Sequence, residues 1–302
     1  MKMNILAACR SLGRTACAGA VLLVAASGSA QDLFVSLLGS GNILEITPDG
    51  TQSTFLSSSY PWGLASDGAG DLYQAGGGGS ACEFINNNGT LSSSPNVLAS
   101  GLPNPEGIAV NSSGDAFVSQ PYEGGNVVTE ITPGGVQSTF ASGLDWPEGL
   151  AFNKAGDLFV GDIMDGNIYE YTPSGNQSLF ASGVWDAFAM AFNSAGDLFV
   201  AQNNDILEIT PNRTQTIFAS LDNPEGIAIN SAGDVFATEC IDNGDIVEIT
   251  PNGTQTIIAS GLDEPLGLAF AAPEPSTFSL GGLALGVIVV ARKLHGRQRQ
   301  NS

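Results

Sequence analysis

Apolar and polar residues alternate along this chain in short runs broken by Gly, Asn, Asp and Pro, and no stretch of its body carries the 3.6-residue spacing of an amphipathic helix. One pattern keeps returning. The string GDLFV at 156–160 recurs unchanged at 196–200, with GDLY from Gly70, GDAFV from Gly114 and GDVFA from Gly233. A sixth copy, Asp32-Leu33-Phe34-Val35, lacks the glycine. The repeat aspartates at 32, 71, 115, 157, 197 and 234 set a period of 37 to 44 residues, which suits four-stranded blades or helical repeats. In the unit that opens at Pro147, residues 149–152 read as an inner strand and 153–156 as a hairpin turn. Strands at 157–161, 167–171 and 177–181 follow. Four strands joined by tight turns form a meander, the plan of one propeller blade.

A single blade cannot bury both of its faces, so the copies must stack around an axis. The two ends of the body indicate how the ring closes. Its first copy begins at a second strand, whereas residues 267–270 are an inner strand left over after the last copy. Joined, they complete a sixth blade and remove the free edges of an open array. The expectation is an all-β, six-bladed β-propeller over 31–272, closed by pairing of its N- and C-terminal strands. The motif P-x-G-[IL]-A followed by G-D-x-[FY]-V resembles the six-bladed propellers of the NHL-repeat and gluconolactonase-like superfamily over this whole body. That resemblance implies the fold and leaves function open.

Outside the body the composition changes. Lys2, Arg10 and Arg14 precede an apolar run from Ala16 to Ala26 and the small residues up to Ala30. This is the layout of a secretory signal over 1–30, with cleavage expected between Ala30 and Gln31. The run is too short for a first transmembrane helix. At the other end Pro273-Glu274-Pro275 precedes an uncharged apolar stretch from Phe278 to Ala291 and a basic cluster from Arg292 to Arg299. Motif, apolar helix and basic end in that order over 273–302 resemble the PEP-CTERM sorting signal of Gram-negative bacteria. The resemblance implies export to the cell envelope or surface and recognition by an exosortase-type processing enzyme. It also implies membrane contact only through the tail, and a setting rich in extracellular polysaccharide. A simple tail anchor is the other reading.

Charge sharpens the picture. Between Gln31 and Thr277 all 30 carboxylates face only Lys154 and Arg213, a formal charge of −28. Such a surface repels phosphate backbones, which excludes nucleic-acid and anionic-lipid binding by the body. The sole histidine, His295, lies in the tail, so no Ser-His-Asp or Cys-His arrangement can be built and histidine-dependent metal hydrolases and lyases have no counterpart. Cys82 and Cys240 fall in non-adjacent units, one on a strand and one in a loop, and are expected as two separate packed thiols.

Residues repeated in every blade read as scaffold: the GD aspartates as turns, the once-per-blade aromatics as packing between blades, and the Glu-Ile-Thr-Pro series as a solvated strand edge. A site on a pseudosymmetric ring shows where the repeats differ. The residue before each inner strand, expected at the channel mouth, is Trp62, Glu106, Glu148, Phe188, Glu225 and Leu266. The residue ending each second strand is Leu37, Gly76, Gln120, Asp162, Gln202 and Glu239. Together they predict a mouth with an acidic, amide-rich sector and an apolar one. The polar members, with Trp62 and Phe188, are the candidate ligand-binding residues. Crowded carboxylates raise one another's pKa or gather a cation, and Ca²⁺ favours such oxygen ligands. Glu106, Glu148, Asp162 and Glu225 are of the type that gluconolactonase-like relatives use to hold a divalent cation. Three readings follow: an exported propeller binding a ligand, polysaccharide or surface protein at its mouth, a cation-dependent lactonase-like hydrolase, and an acidic structural matrix component.

Overall fold

The computed structural model describes residues 31–270 except Ser59, Gly77, Asn88, Glu123 and Gly124. The signal expected over 1–30 and the sorting tail expected over 273–302 lie outside the described residues. Within them the chain forms 24 strands and no helix. The strands make six four-stranded antiparallel sheets. Blades 1 to 6 are named here by their inner strands: Pro61–Ser66, Ile108–Val110, Pro147–Phe152, Ala189–Phe192, Pro224–Ile229 and Pro265–Phe270. Blade 6 is the composite that the ends of the body required. In it Pro265–Phe270 pairs with Leu33–Leu37, placing Leu268 opposite Val35 and Ala269 opposite Phe34.

The repeated Asn-x-x-Gly-Asp turn explains itself chemically. Asn111 Oδ1 accepts the amides of Ser113 and Asp115 while its Nδ2 donates to Asp115 Oδ2. Asn153 with Asp157, Asn193 with Asp197, and Asn230 with Asp234 repeat the bond between side chains at 2.8–2.9 Å. The intervening Gly114, Gly156, Gly196 and Gly233 sit at φ of 83° to 92°, which a side chain would strain. These aspartates are therefore turn residues on the face opposite the channel mouth. Glu248 departs from its series: it is buried, not solvated, and one carboxyl oxygen has no hydrogen-bond partner.

The core is divided among the seams. Six hydrophobic clusters each combine residues of two adjacent blades. The second-strand phenylalanine reaches across edge-on to the inner strand of the next blade, with ring centroids 5.1 Å apart for Phe117–Phe152, 4.8 Å for Phe159–Phe192 and 5.0 Å for Phe236–Phe270. Cys82 and Cys240 are both buried and are not joined by a disulfide.

Near the axis the blades touch through backbone. A Cβ added to Gly107 would stand 2.0 Å from the Glu148 carbonyl of the next blade, and one on Gly226 would stand 1.9 Å from the Leu266 carbonyl. In three blades a hydroxyl ties each seam. Ser119 accepts the Gly107 amide at 2.9 Å and donates to the Glu148 carbonyl at 2.8 Å. Thr238 and Ser36 do the same for Gly226 with Leu266 and for Gly267 with Trp62. Where Ala75 or Gly161 replaces the hydroxyl, the amides of Gly63 and Gly149 reach the next blade's carbonyl directly, at 2.9 and 3.2 Å. At Gly107 and Gly226 glycine is required, because a Cβ there would push neighbouring blades apart. Gly226→Ala is accordingly expected to lower unfolding stability by about 2 kcal/mol through overpacking, read by urea denaturation. Ala189→Gly, at the one equivalent position that already carries a Cβ, should change it by less than about 1 kcal/mol.

Candidate functional site at the channel mouth

Every inner strand is entered by the same device. The residue two places before the lining position, Tyr60, Asn104, Trp146, Asp186, Asn223 or Glu264, lies at a φ between 42° and 72°. For residues other than glycine this left-handed region costs on the order of 1–3 kcal/mol. It reverses the chain as it comes in from the outer strand of the preceding blade. The next residue is proline in five of the six, with Ala187 in blade 4, and the lining residue follows.

Three rings of six residues then line the axis, enclosing about 80 Å³. Trp62, Glu106, Glu148, Phe188, Glu225 and Leu266 form the uppermost ring, as their place in the repeat predicts. Beneath them come the glycines and Ala189, then Leu64, Ile108, Leu150, Met190, Ile227 and Leu268, which line the passage with apolar side chains.

The three glutamates occupy one cavity, and among the described residues none that lines it is basic. Glu106 is buried, and Glu148 and Glu225 keep limited exposure to the channel. Burial pushes the Glu106 carboxyl up to about 8, helped by the charge of Glu225 and opposed by a hydrogen bond from Tyr122. Glu148 is raised well above the usual range by burial, then by Glu106, Glu225 and Asp186, against a hydrogen bond from Trp146. Glu225 rises to about 7 for the same first reason, while hydrogen bonds from Asn223 and Cys240 pull it back. The Asn223 amide reaches Glu225 Oε1 at 3.0 Å. Each carboxyl is thus met by neutral donors. Tyr122 and Trp146 also touch each other, with ring centroids 3.9 Å apart.

The second set of expected site residues is placed differently. Gln120, Asp162, Gln202 and Glu239 end their strands opposite or beside the entering segment, and none lines the channel. Both Asp162 oxygens accept the Asp145 amide at 3.0 Å, and Glu239 Oε1 accepts the Asp222 amide at 2.8 Å. Gln120 donates to Thr129, and Gln202 has its Oε1 buried without a partner. Burial raises Asp162 to about 6. Among the described residues no three His, Cys, Asp or Glu side chains converge closely enough to hold a metal ion. Glu106, Glu148 and Glu225 share the mouth, and Asp162 stands outside it, committed to a loop amide.

Comparison with protein-family models and with curated proteins finds no match. Solved structures do match. A gluconolactonase of Xanthomonas campestris superposes with a TM-score of 0.58 at 18% identity over 69% of this chain and 79% of that one. A structure described as a putative gluconolactonase gives 0.57 at 15% identity over 78% and 86%. The virginiamycin B lyase of Staphylococcus aureus gives 0.56 at 17% identity over 82% and 94%. What this likeness shows is the fold. The chain is a six-bladed propeller whose structural neighbours include gluconolactonases and virginiamycin B lyases.

The mouth carboxyls make stability depend on pH. Each keeps its proton to higher pH in the folded protein than at the ordinary glutamate value of 4.5. Their contribution is therefore fully present below about pH 4.5 and is lost as pH rises through about 7 and 8. Urea unfolding between pH 4 and 9 should show this decline. Glu106→Gln should recover about 2 kcal/mol at pH 9 with little effect at pH 4. An unchanged slope in Glu106→Gln/Glu225→Gln would assign the decline to other groups.

Proposed function

We propose that this protein is an exported, cell-surface propeller that binds a ligand or partner at its channel mouth and performs no chemistry of its own. The observation that carries the reading is the state of the three mouth glutamates. They are largely withdrawn from water, uncompensated by any cation among the described lining residues, and each engaged by a neutral donor, which suits recognition better than turnover. The propeller also lacks the group its lyase neighbours suggest. A His→Ala variant of the Staphylococcus aureus lyase, solved with quinupristin, is described as catalytically inactive, and no histidine occurs between Gln31 and Thr277. The signal-like and sorting-like sequences at the two ends support export and handling by an exosortase-type enzyme.

One observation favours a second reading, a divalent-cation-dependent lactonase-like hydrolase. Glu106 and Glu225 are raised to about 8 and about 7, where a general acid or base works at neutral pH, and gluconolactonases are among the structural neighbours. Hydrolysis of glucono-δ-lactone, followed with and without Ca²⁺ in the purified protein, separates the two. The binding reading expects no turnover above the spontaneous rate in either condition. Turnover that disappears in a folded Glu106/Glu148/Glu225→Gln triple variant would replace it with the hydrolase.

A further inference from the structure

Beside the channel mouth a larger groove opens between blades 1 and 2. It encloses about 570 Å³, within the size range of small-molecule sites. Its walls are of three kinds. Tyr60, Trp62 and Tyr122 supply aromatic surface, and the loop from Leu102 to Pro105 supplies a second wall. Gly76, Gly78 and Gly79 supply bare backbone. A Cβ at Gly78 would meet nothing within 4 Å, whereas one at Gly76 or Gly79 would stand 2.4 Å from the Tyr60 carbonyl or 2.7 Å from the Leu102 carbonyl, so the wall is open at Gly78 and packed tightly on either side. Tyr60 is 68% exposed although it is a large aromatic held at a φ of 56°. Folding alone gains little from that placement.

Among the described residues Glu106 is the one charged residue lining the groove, and it is also part of the channel wall. Only 5% of it is exposed, and no Lys, Arg or His among the described residues lines either cavity. Its hydrogen-bond partner, Tyr122, is neutral. These facts rank the classes of ligand. An anion would meet the buried carboxyl and a body of charge −28. A neutral ring could lie against the aromatics but would gain nothing from the charge of the body or from an ionised Glu106. An organic cation gains from the aromatic rings, from the carboxylate and from the field of the whole body.

We infer that this groove binds an alkylammonium group, held among Tyr60, Trp62 and Tyr122 and against Glu106. The inference rests on the reading of the mouth as a binding site and names the chemistry of what it takes. Asn104 lines the same wall and offers an amide oxygen to a second ammonium N–H. The group can come from a free amine or from a lysine side chain of a partner protein.

Titration calorimetry on the purified full chain tests this with four probes: n-butylammonium, N-acetyl-lysine amide, methyl β-glucoside and butyrate. Both ammonium probes should bind, more weakly at higher salt, and the glucoside and butyrate should not. Tyr60→Ala, a change at an exposed position, and Glu106→Gln should each weaken ammonium binding by about three- to tenfold. A tighter fit for the lysine derivative assigns the source to a protein side chain, and a tighter fit for butylammonium assigns it to a free amine. Ammonium binding unaltered in both variants overturns the placement, and absence of ammonium binding up to about 10 mM overturns the inference. If the glucoside alone binds, the ligand class is wrong while the mouth still binds. Lactone turnover lost in the triple glutamine variant is a separate outcome, which removes the binding reading itself.

Discussion

The structure depends on how closely six backbones can approach one axis. Adjacent inner strands meet where Gly107 and Gly226 would carry a Cβ about 2 Å from the next blade's carbonyl, so the ring can have its radius only if those positions are bare. Closeness brings a second requirement, because carbonyls packed at the centre need donors. Ser36, Ser119 and Thr238 supply them in three blades, and glycine amides reach across in two others. A tight hub then fixes the mouth: each lining side chain is attached one residue before a hub position, glycine in five blades, that cannot move outward.

That rigidity sets the electrostatics. Three carboxyls from blades 2, 3 and 5 are held in one small space, and the scaffold cannot relax to separate them. Their proton affinity rises because water is scarce around them and because they face one another. The neutral donors Tyr122, Trp146 and Asn223 moderate this without cancelling it. A ring built for close contact thus holds carboxyls whose charge is disfavoured until an occupant arrives, a condition shared by binding sites and by acid–base sites.

Most of the fold was legible because each blade repeats the same physical solution. The GD pair marked the hairpin, P-x-G marked the inner strand, and the unmatched segments around Leu33 and Leu268 required a shared blade. The lining ring was legible for the same reason: Glu106, Glu148 and Glu225 stand at one register position, and register sets direction in a strand. Asp162 was harder to place. It pairs with Pro147, beside the lining residue in the sheet, yet its carboxylate is drawn away by the Asp145 amide, a contact that depends on loop path. Tyr122 was missed because it sits in a loop with no counterpart of the same length in other blades. Trp146 and Asn223 carried a readable signal, since each stands directly before a P-x-G proline, but their contact with the neighbouring glutamate needs three dimensions.

The composite blade has an orienting effect. In it Leu33 faces Phe270 at one end of the strand pair and Leu37 faces Pro265 at the other, and only the second end belongs to the opening. The described segment therefore enters at Leu33 and leaves at Phe270 on the underside, where the other blades carry their Asn-x-x-Gly-Asp hairpins. The described strands thus leave the mouth, with its glutamates and aromatic groove, at the end of the ring away from Leu33 and Phe270.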